Sequence, residues 1–190
     1  MCFIAESLGR AQFRRALDAY RQGRESGDRE HRRETDRLAK SISPQKLYGV
    51  PVALMFFEGA ARLARSGVTV PMLQDGDPDR IVVEAYPGVL ARSVIGTRSY
   101  KCDSRKAQTA QHLAHRHELL TTLSEGAAKQ RYGFEIIAPE ALCNDPTGDE
   151  LDALLAAIQA AWAWRNKAKN FGIPTDVDRL EGRIADPLSG

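Results

Sequence analysis

Two acids in this sequence stand where local structure gives little reason for them. In "RIVVEAYPGVLAR" (80–92), Ile81, Val82 and Val83 read as a buried strand, Glu84 follows, and Tyr86-Pro87-Gly88 closes the run. An unpaired carboxylate in a strand core is costly, so Glu84 needs a reason to be there. Alternation puts it on one strand face with Val82 and Tyr86, near the carboxyl end of a parallel strand. Open α/β sheets bind their ligands at that end. A Glu that has simply reached solvent, or that pairs with an arginine, satisfies the same pattern, and periodicity alone favours that plainer reading. The second acid is Asp152, in "DPTGDELDALLAAIQAAWAW". Thr147 and Glu150 have the T-x-x-E spacing of a capping box, which leaves Asp152 further into the helix with no capping duty. It flanks an apolar stripe of Leu151, Leu154, Leu155, Ile158 and Trp162, beside Ala156 and Gln159. Its plainer reading is a surface acid favoured by the helix dipole, which Asp149 fits better.

A carboxylate from a strand and another from a helix repel each other unless a proton or a divalent cation lies between them. Mg²⁺ or Mn²⁺ suits such a pair, because it takes oxygen ligands and leaves room for a substrate phosphate. Between the two acids runs "GTRSYKCDSRKAQTAQHLAHRH" (96–117), rich in Arg and Lys. Lys101 and Arg105 lie near the start of a predicted helix, whose first amides also attract anions, so both are phosphate-binding candidates. For Lys106 and Arg116 a solvated helix face is at least as good a reading. His112, His115 and His117 do not converge on one helix face, so they make a poor metal cluster. His117 shares the stripe of Leu113 and Leu120 and reads as a core histidine, and Trp162 reads as core. No P-loop, GxGxxG, GxSxG or HExxH pattern occurs.

The elements that must position these groups follow from periodicity and breakers. Apolar spacing predicts a helix over 8–23 with Leu8, Phe13, Leu17 and Tyr20 on one face. A very polar helix is predicted for 28–40; residues 21–40 mix seven basic with five acidic side chains. A third helix, 53–66, is closed by Gly67. From there the order is strand 80–86, helix 87–96 with Pro at its first turn, helix 104–123, strand 132–140 and helix 148–168. That order implies an α/β fold with a parallel layer and right-handed crossovers. No convincing strand precedes residue 80, and two strands make a poor sheet, so the opening strands look absent. The expectation is a single domain over 1–190, mainly helical to residue 79 and α/β from residue 80 on.

Composition sets few further bounds. The chain has 190 residues, 43% hydrophobic and 27% charged, with a net charge of +2. That charge is too small to imply a nucleic-acid or membrane partner by itself. Cys2, Cys102 and Cys143 are odd in number and widely spaced, as in a reduced, cytoplasmic protein without disulfides or zinc fingers. The longest apolar run, "VALMFF", is far too short to span a bilayer.

Taken in order, "RIVVEAYPGVLAR", "SYK" (99–101), "GDELDALLAAIQAAWAW" and "LEGRIADP" (180–187) resemble the family called domain of unknown function 429. The stretch "RRETDRLAKSISPQKLYGVPVALMFFEGAARL" (32–63) is similar to one branch of it. The resemblance runs from about residue 28 to the end. It implies a predicted nuclease with a ribonuclease-H-like fold that binds Mg²⁺ or Mn²⁺ through acids of its first strand, fourth strand and a late helix. Glu84 would be the fourth-strand acid, Asp152 the late-helix acid, and Lys101, on the family's Tyr-Lys motif, a phosphate contact. Members open with a Gly-Ile-Asp type of strand carrying the first metal-binding Asp, and this chain contains none. A truncated gene product, a misplaced start and a true short form would each look like this. The expectation is therefore a truncated ribonuclease-H-like layer whose activity alone is weak or nil. The alternative is a non-catalytic nucleic-acid or protein binding and assembly module. With the first strand missing, strand 80–86 is expected to present a bare edge that promotes self-association.

Overall fold

The computed structural model describes residues 8–102 and 104–188, with the side chain of Arg105 outside that description. Two compact units divide them where the sequence suggests one domain. One unit takes the chain through Val82 together with Val177–Gly182; the other takes Val83–Asp176 and the residues from Arg183 on. The border falls close to residue 80, but the expected order of character is reversed: the sheet lies in the first unit, and among the described residues the second holds helices and one isolated bridge. Among the described residues no helix is long and apolar enough to cross a membrane.

In the first unit, α1 (Arg10–Gln22) and α3 (Val52–Arg65) form as their periodicity predicts. Phe13 is buried and its ring stacks on Phe57 at 5.1 Å between centroids. Leu47, Ala53 and Leu54 complete a small core, with Leu17 packed against it, while Tyr20 is exposed. The expected helix over 28–40 shrinks to α2 (Glu34–Leu38). Its competitor is the buried Asp36 carboxylate. That group accepts hydrogen bonds from the Arg33 amide and guanidinium and from the Ser41 hydroxyl. His31 and Lys40, both at positive φ, close the segment on either side. Burial alone would raise the pKa of Asp36, but the hydrogen bonds from Arg33 and Ser41 outweigh it and hold the carboxyl below its ordinary value.

The unit's sheet has two parallel strands, β1 (Val68–Thr69) and β2 (Asp77–Ile81). The molecule is thus a helix-rich α/β protein in the general sense, but its strands lie earlier than the sequence pattern suggests. A strand does precede residue 80, and the strand expected over 80–86 ends at Ile81. Nor is that segment's edge wholly bare: the Val82 amide donates to Thr69 O at 2.9 Å.

In the second unit, Glu84 forms an isolated parallel bridge with Ile184, and its carbonyl accepts from the Ala185 amide at 2.8 Å. Then come α4 (Pro87–Ile95), α5 (Ala110–Thr122), a single π turn (Leu123–Ala127), α6 (Ala128–Tyr132) and α7 (Asp149–Arg165). The helix expected over 104–123 starts later, at a Thr109 cap whose side chain accepts from the His112 amide, and α6 continues it to Tyr132. The strand expected over 132–140 is absent. Phe134, Ile136 and Ala138 pack on the core while Ile137 is fully exposed, so the period-two pattern is real. The stretch lacks a strand's ladder, which needs a neighbour as well as alternation. The core joins α4, α5 and α7 through Leu90, Ile95, Leu119, Leu123, Leu151, Leu155 and Ile158, each 2% exposed or less.

Candidate functional site

The N-terminal end of α7 brings two of the candidate residues, Asp152 and Lys101, into contact. The expected Thr147–Glu150 box is replaced by an Asp145 anchor. Asp145 accepts from the Thr147 hydroxyl at 2.8 Å, the Thr147 amide at 2.9 Å and the Glu150 amide at 3.1 Å. These bonds, that of Thr147 foremost, hold its pKa down to about 2. The residue before the helix is Gly148, at φ +73°. A Cβ there would also lie 3.0 Å from Cβ and Cδ of Lys101, so glycine lets the Lys101 stem cross the start of the helix.

Asp152 then receives two short hydrogen bonds. Tyr100 donates its hydroxyl to Oδ1 at 2.5 Å, and Lys101 donates from Nζ to Oδ2 at 2.5 Å. The Lys101 and Asp152 side chains both reach solvent, at 31% and 25% exposure. Tyr100 is buried, and burial first, then the Asp152 carboxylate, push its pKa far up, so it keeps its proton and serves as a donor. The buried Arg116 holds this strip of chain in place. Its Nη1 donates to Tyr100 O at 2.8 Å and its Nε to Cys143 O at 2.7 Å. Arg116 is therefore a structural clamp, not the solvated side chain that helix spacing suggests. Cys143 is fully buried, and burial pushes its thiol's pKa up.

Glu84 is exposed, with its backbone paired to the 184–185 segment. Arg105 begins a short 3-10 turn, Arg105–Ala107, and its side chain lies outside the described ones. The three histidines diverge. His112 takes the Thr109 amide at 3.1 Å, His115 bonds Ser99 O at 2.7 Å, and His117 pairs with Glu140 at 3.2 Å. His117 is half-exposed, so its expected place in the core is corrected: α5 turns Leu113 outward as well. Among the described residues no group of three His, Cys, Asp or Glu side chains is placed to hold a metal ion.

A second polar cluster, unforeseen in the sequence, lies further along α7. Gln159 is fully buried, accepts from the Tyr86 amide at 2.9 Å and donates to Tyr86 O at 3.2 Å. Its Nε2 also donates to Asp186. Asp186 is buried too, and accepts from Tyr132 Oη at 2.9 Å and the Leu188 amide at 2.7 Å. Gln159 lies seven residues after Asp152, two helical turns along the same side, about 10 Å up the axis. The signal was present in the sequence as a Gln on an apolar stripe and an acid inside "RIADP".

Compared with protein-family models, curated proteins and solved structures, the chain matches none of them.

Proposed function

We propose that the Asp152–Lys101–Tyr100 cluster is the working site of a hydrolase directed at phosphodiesters and assisted by Mg²⁺ or Mn²⁺, with the ribonuclease-H-like ancestry that the sequence resemblance implies. One arrangement supports the reading: a solvent-reaching carboxylate at a helix start, bonded by a lysine ammonium and a proton-bearing phenol at 2.5 Å each. The donor chemistry suits the ion. Each oxygen of Asp152 has one accepted hydrogen bond and so keeps a lone pair, and Mg²⁺ is held by one or two carboxylates plus substrate oxygens. Asp152, with Glu84, would hold it, and the bound ion would activate water and stabilise the leaving oxygen. Lys101 has two further ammonium hydrogens to offer a phosphate, and Tyr100 fixes the carboxylate's orientation.

The test is cleavage of single- and double-stranded DNA and RNA by the purified chain, with Mg²⁺, with Mn²⁺ and with chelator. The reading expects weak metal-dependent cleavage, in keeping with the lack of the first-strand acid, that Asp152→Asn and Glu84→Gln abolish. Cleavage that survives chelation, or that Asp152→Asn leaves intact, overturns it. A second reading has its own support, because Lys101 already neutralises Asp152 within the chain. On that reading the site binds phosphate without cutting, and oligonucleotide retention that depends on Lys101, with no products under any metal, would select it.

A further inference from the structure

We propose that the C-terminal end of α7 is a stacking platform for single-stranded nucleic acid, centred on Trp164; the proposal rests on the phosphodiester reading above. Residues 153–175 carry Arg165, Lys167 and Lys169 and no acid. The chain's two tryptophans differ sharply within that stretch. Trp162 is half-buried and packs so closely on Gly172 that a Cβ there would collide with its Cη2. Trp164 is 51% exposed, a large flat ring set in water.

The surroundings fit a nucleotide strand. The Lys167 ammonium lies over one face of the Trp164 ring, 4.5 Å from its centroid, so the opposite face is the one proposed for a base. The Arg165 guanidinium lies 5.7 Å from the Phe134 ring and donates to Gly133 O at 2.9 Å. Beyond α7, Asn170, Phe171 and Gly172 follow one another at φ +52°, +57° and +74°. Left-handed runs are avoided by ordinary residues. Here the run folds the chain back over Trp162 and leaves Trp164 uncovered by that segment. A helix C-terminus accounts for the sign of the nearby charges through its dipole, but not for an exposed tryptophan among them. Base stacking on an exposed aromatic ring, with cations beside it for the phosphates, is how single strands are held without sequence preference. A duplex hides its base faces within the stack. Trp164 lies twelve residues after Asp152 on one rigid helix, about 18 Å along the axis. The two residues are also about 120° apart around the axis, so a strand stacked at Trp164 reaches Asp152 only by winding part way round the helix.

The experiment follows tryptophan emission of the full chain, in chelator, titrated with a short oligothymidylate, a blunt duplex of equal length and polyglutamate, each at low and high salt. The expected result is quenching by the single strand, weakened by salt. Trp164→Ala should weaken binding on the order of tenfold or more, and Trp164→Phe less. Absence of quenching, equal binding of duplex or polyglutamate, or a Trp164→Ala variant that binds like the parent overturns the platform. Strand binding without cleavage under any metal would sink the Asp152 reading and leave the platform standing. Cleavage and binding both indifferent to Trp164→Ala would sink the platform alone.

Discussion

Lys101 is held by Asp152 yet still reaches solvent, so its removal should be read in binding more than in folding. Lys101→Ala is expected to weaken oligonucleotide binding and to reduce the salt slope by about one, because one fewer counterion is released. An unchanged slope would make Lys101 a partner of Asp152 and nothing more. Gln159 should behave in the opposite way. Gln159→Leu keeps the volume but strands the Tyr86 backbone groups and the Asp186 carboxylate, all of which it bonds. Unmet buried polar groups cost about 1–3 kcal/mol each, so a loss of several kcal/mol is expected in denaturant unfolding. The two residues also mark how far the site was legible. Asp152 and Lys101 stood out by type, because a carboxylate past its helix cap and a lysine near a helix start are anomalies that a sequence displays. Arg116 and Tyr100 did not, because a buried arginine bonded to carbonyls has the same letter and spacing as a solvated one. Their roles are set by which loop lies opposite, and that is tertiary information.

At the scale of elements, the start of α7 depends on Asp145. Its folded pKa of about 2 lies below the ordinary 3.8. The unfolded chain therefore takes up the proton first as acid is added. The stability that this anchor contributes is intact above about pH 4 and drains as the pH falls toward 2. Asp145→Asn should flatten that part of the acid unfolding curve, as followed by helical circular dichroism at several pH values. The extended stretch after α6 makes a second test. Ile136 packs on the core and Ile137 is wholly exposed. Ile136→Ala is expected to cost about 1–3 kcal/mol, and Ile137→Ala less than about 0.5 kcal/mol. Equal costs would mean that the alternation does not hold in solution. Four helices, α1, α3, α4 and α7, were legible from apolar spacing and from Pro or Gly at their ends. Strands were less so. Alternation at 134–138 announced a strand that has no neighbour, whereas Val68–Thr69 is too short to show a period. The polar helix over 28–40 failed for a third reason, since Asp36 offers the backbone better local partners than helix bonds.

For the whole molecule, the segment after Asp176 serves both units. Glu181 receives His31 Nε2 at 3.3 Å and the Glu34 amide at 2.9 Å in the first unit, while Asp186 closes the buried cluster of the second. Removing residues 177–190 should therefore lower amide protection in both units at once, around α2 in one and around Tyr86 and Gln159 in the other. Loss confined to one unit would show that the segment matters to that unit alone. Sequence patterns could not display this sharing, because "LEGRIADP" is one short polar run whose two acids find partners far away along the chain. The same sharing has a consequence for synthesis. Tyr132 waits for an acceptor 54 residues downstream. At the usual 5–20 residues per second, a nascent chain spends roughly 3–11 s with the Tyr132 hydroxyl made and Asp186 not yet translated. During that interval Gln159, once made, also lacks its carboxylate. The second unit is then a ribosome-bound intermediate with an open polar core, a form that chaperones can engage and that slowed codons between those for Tyr132 and Asp186 would prolong.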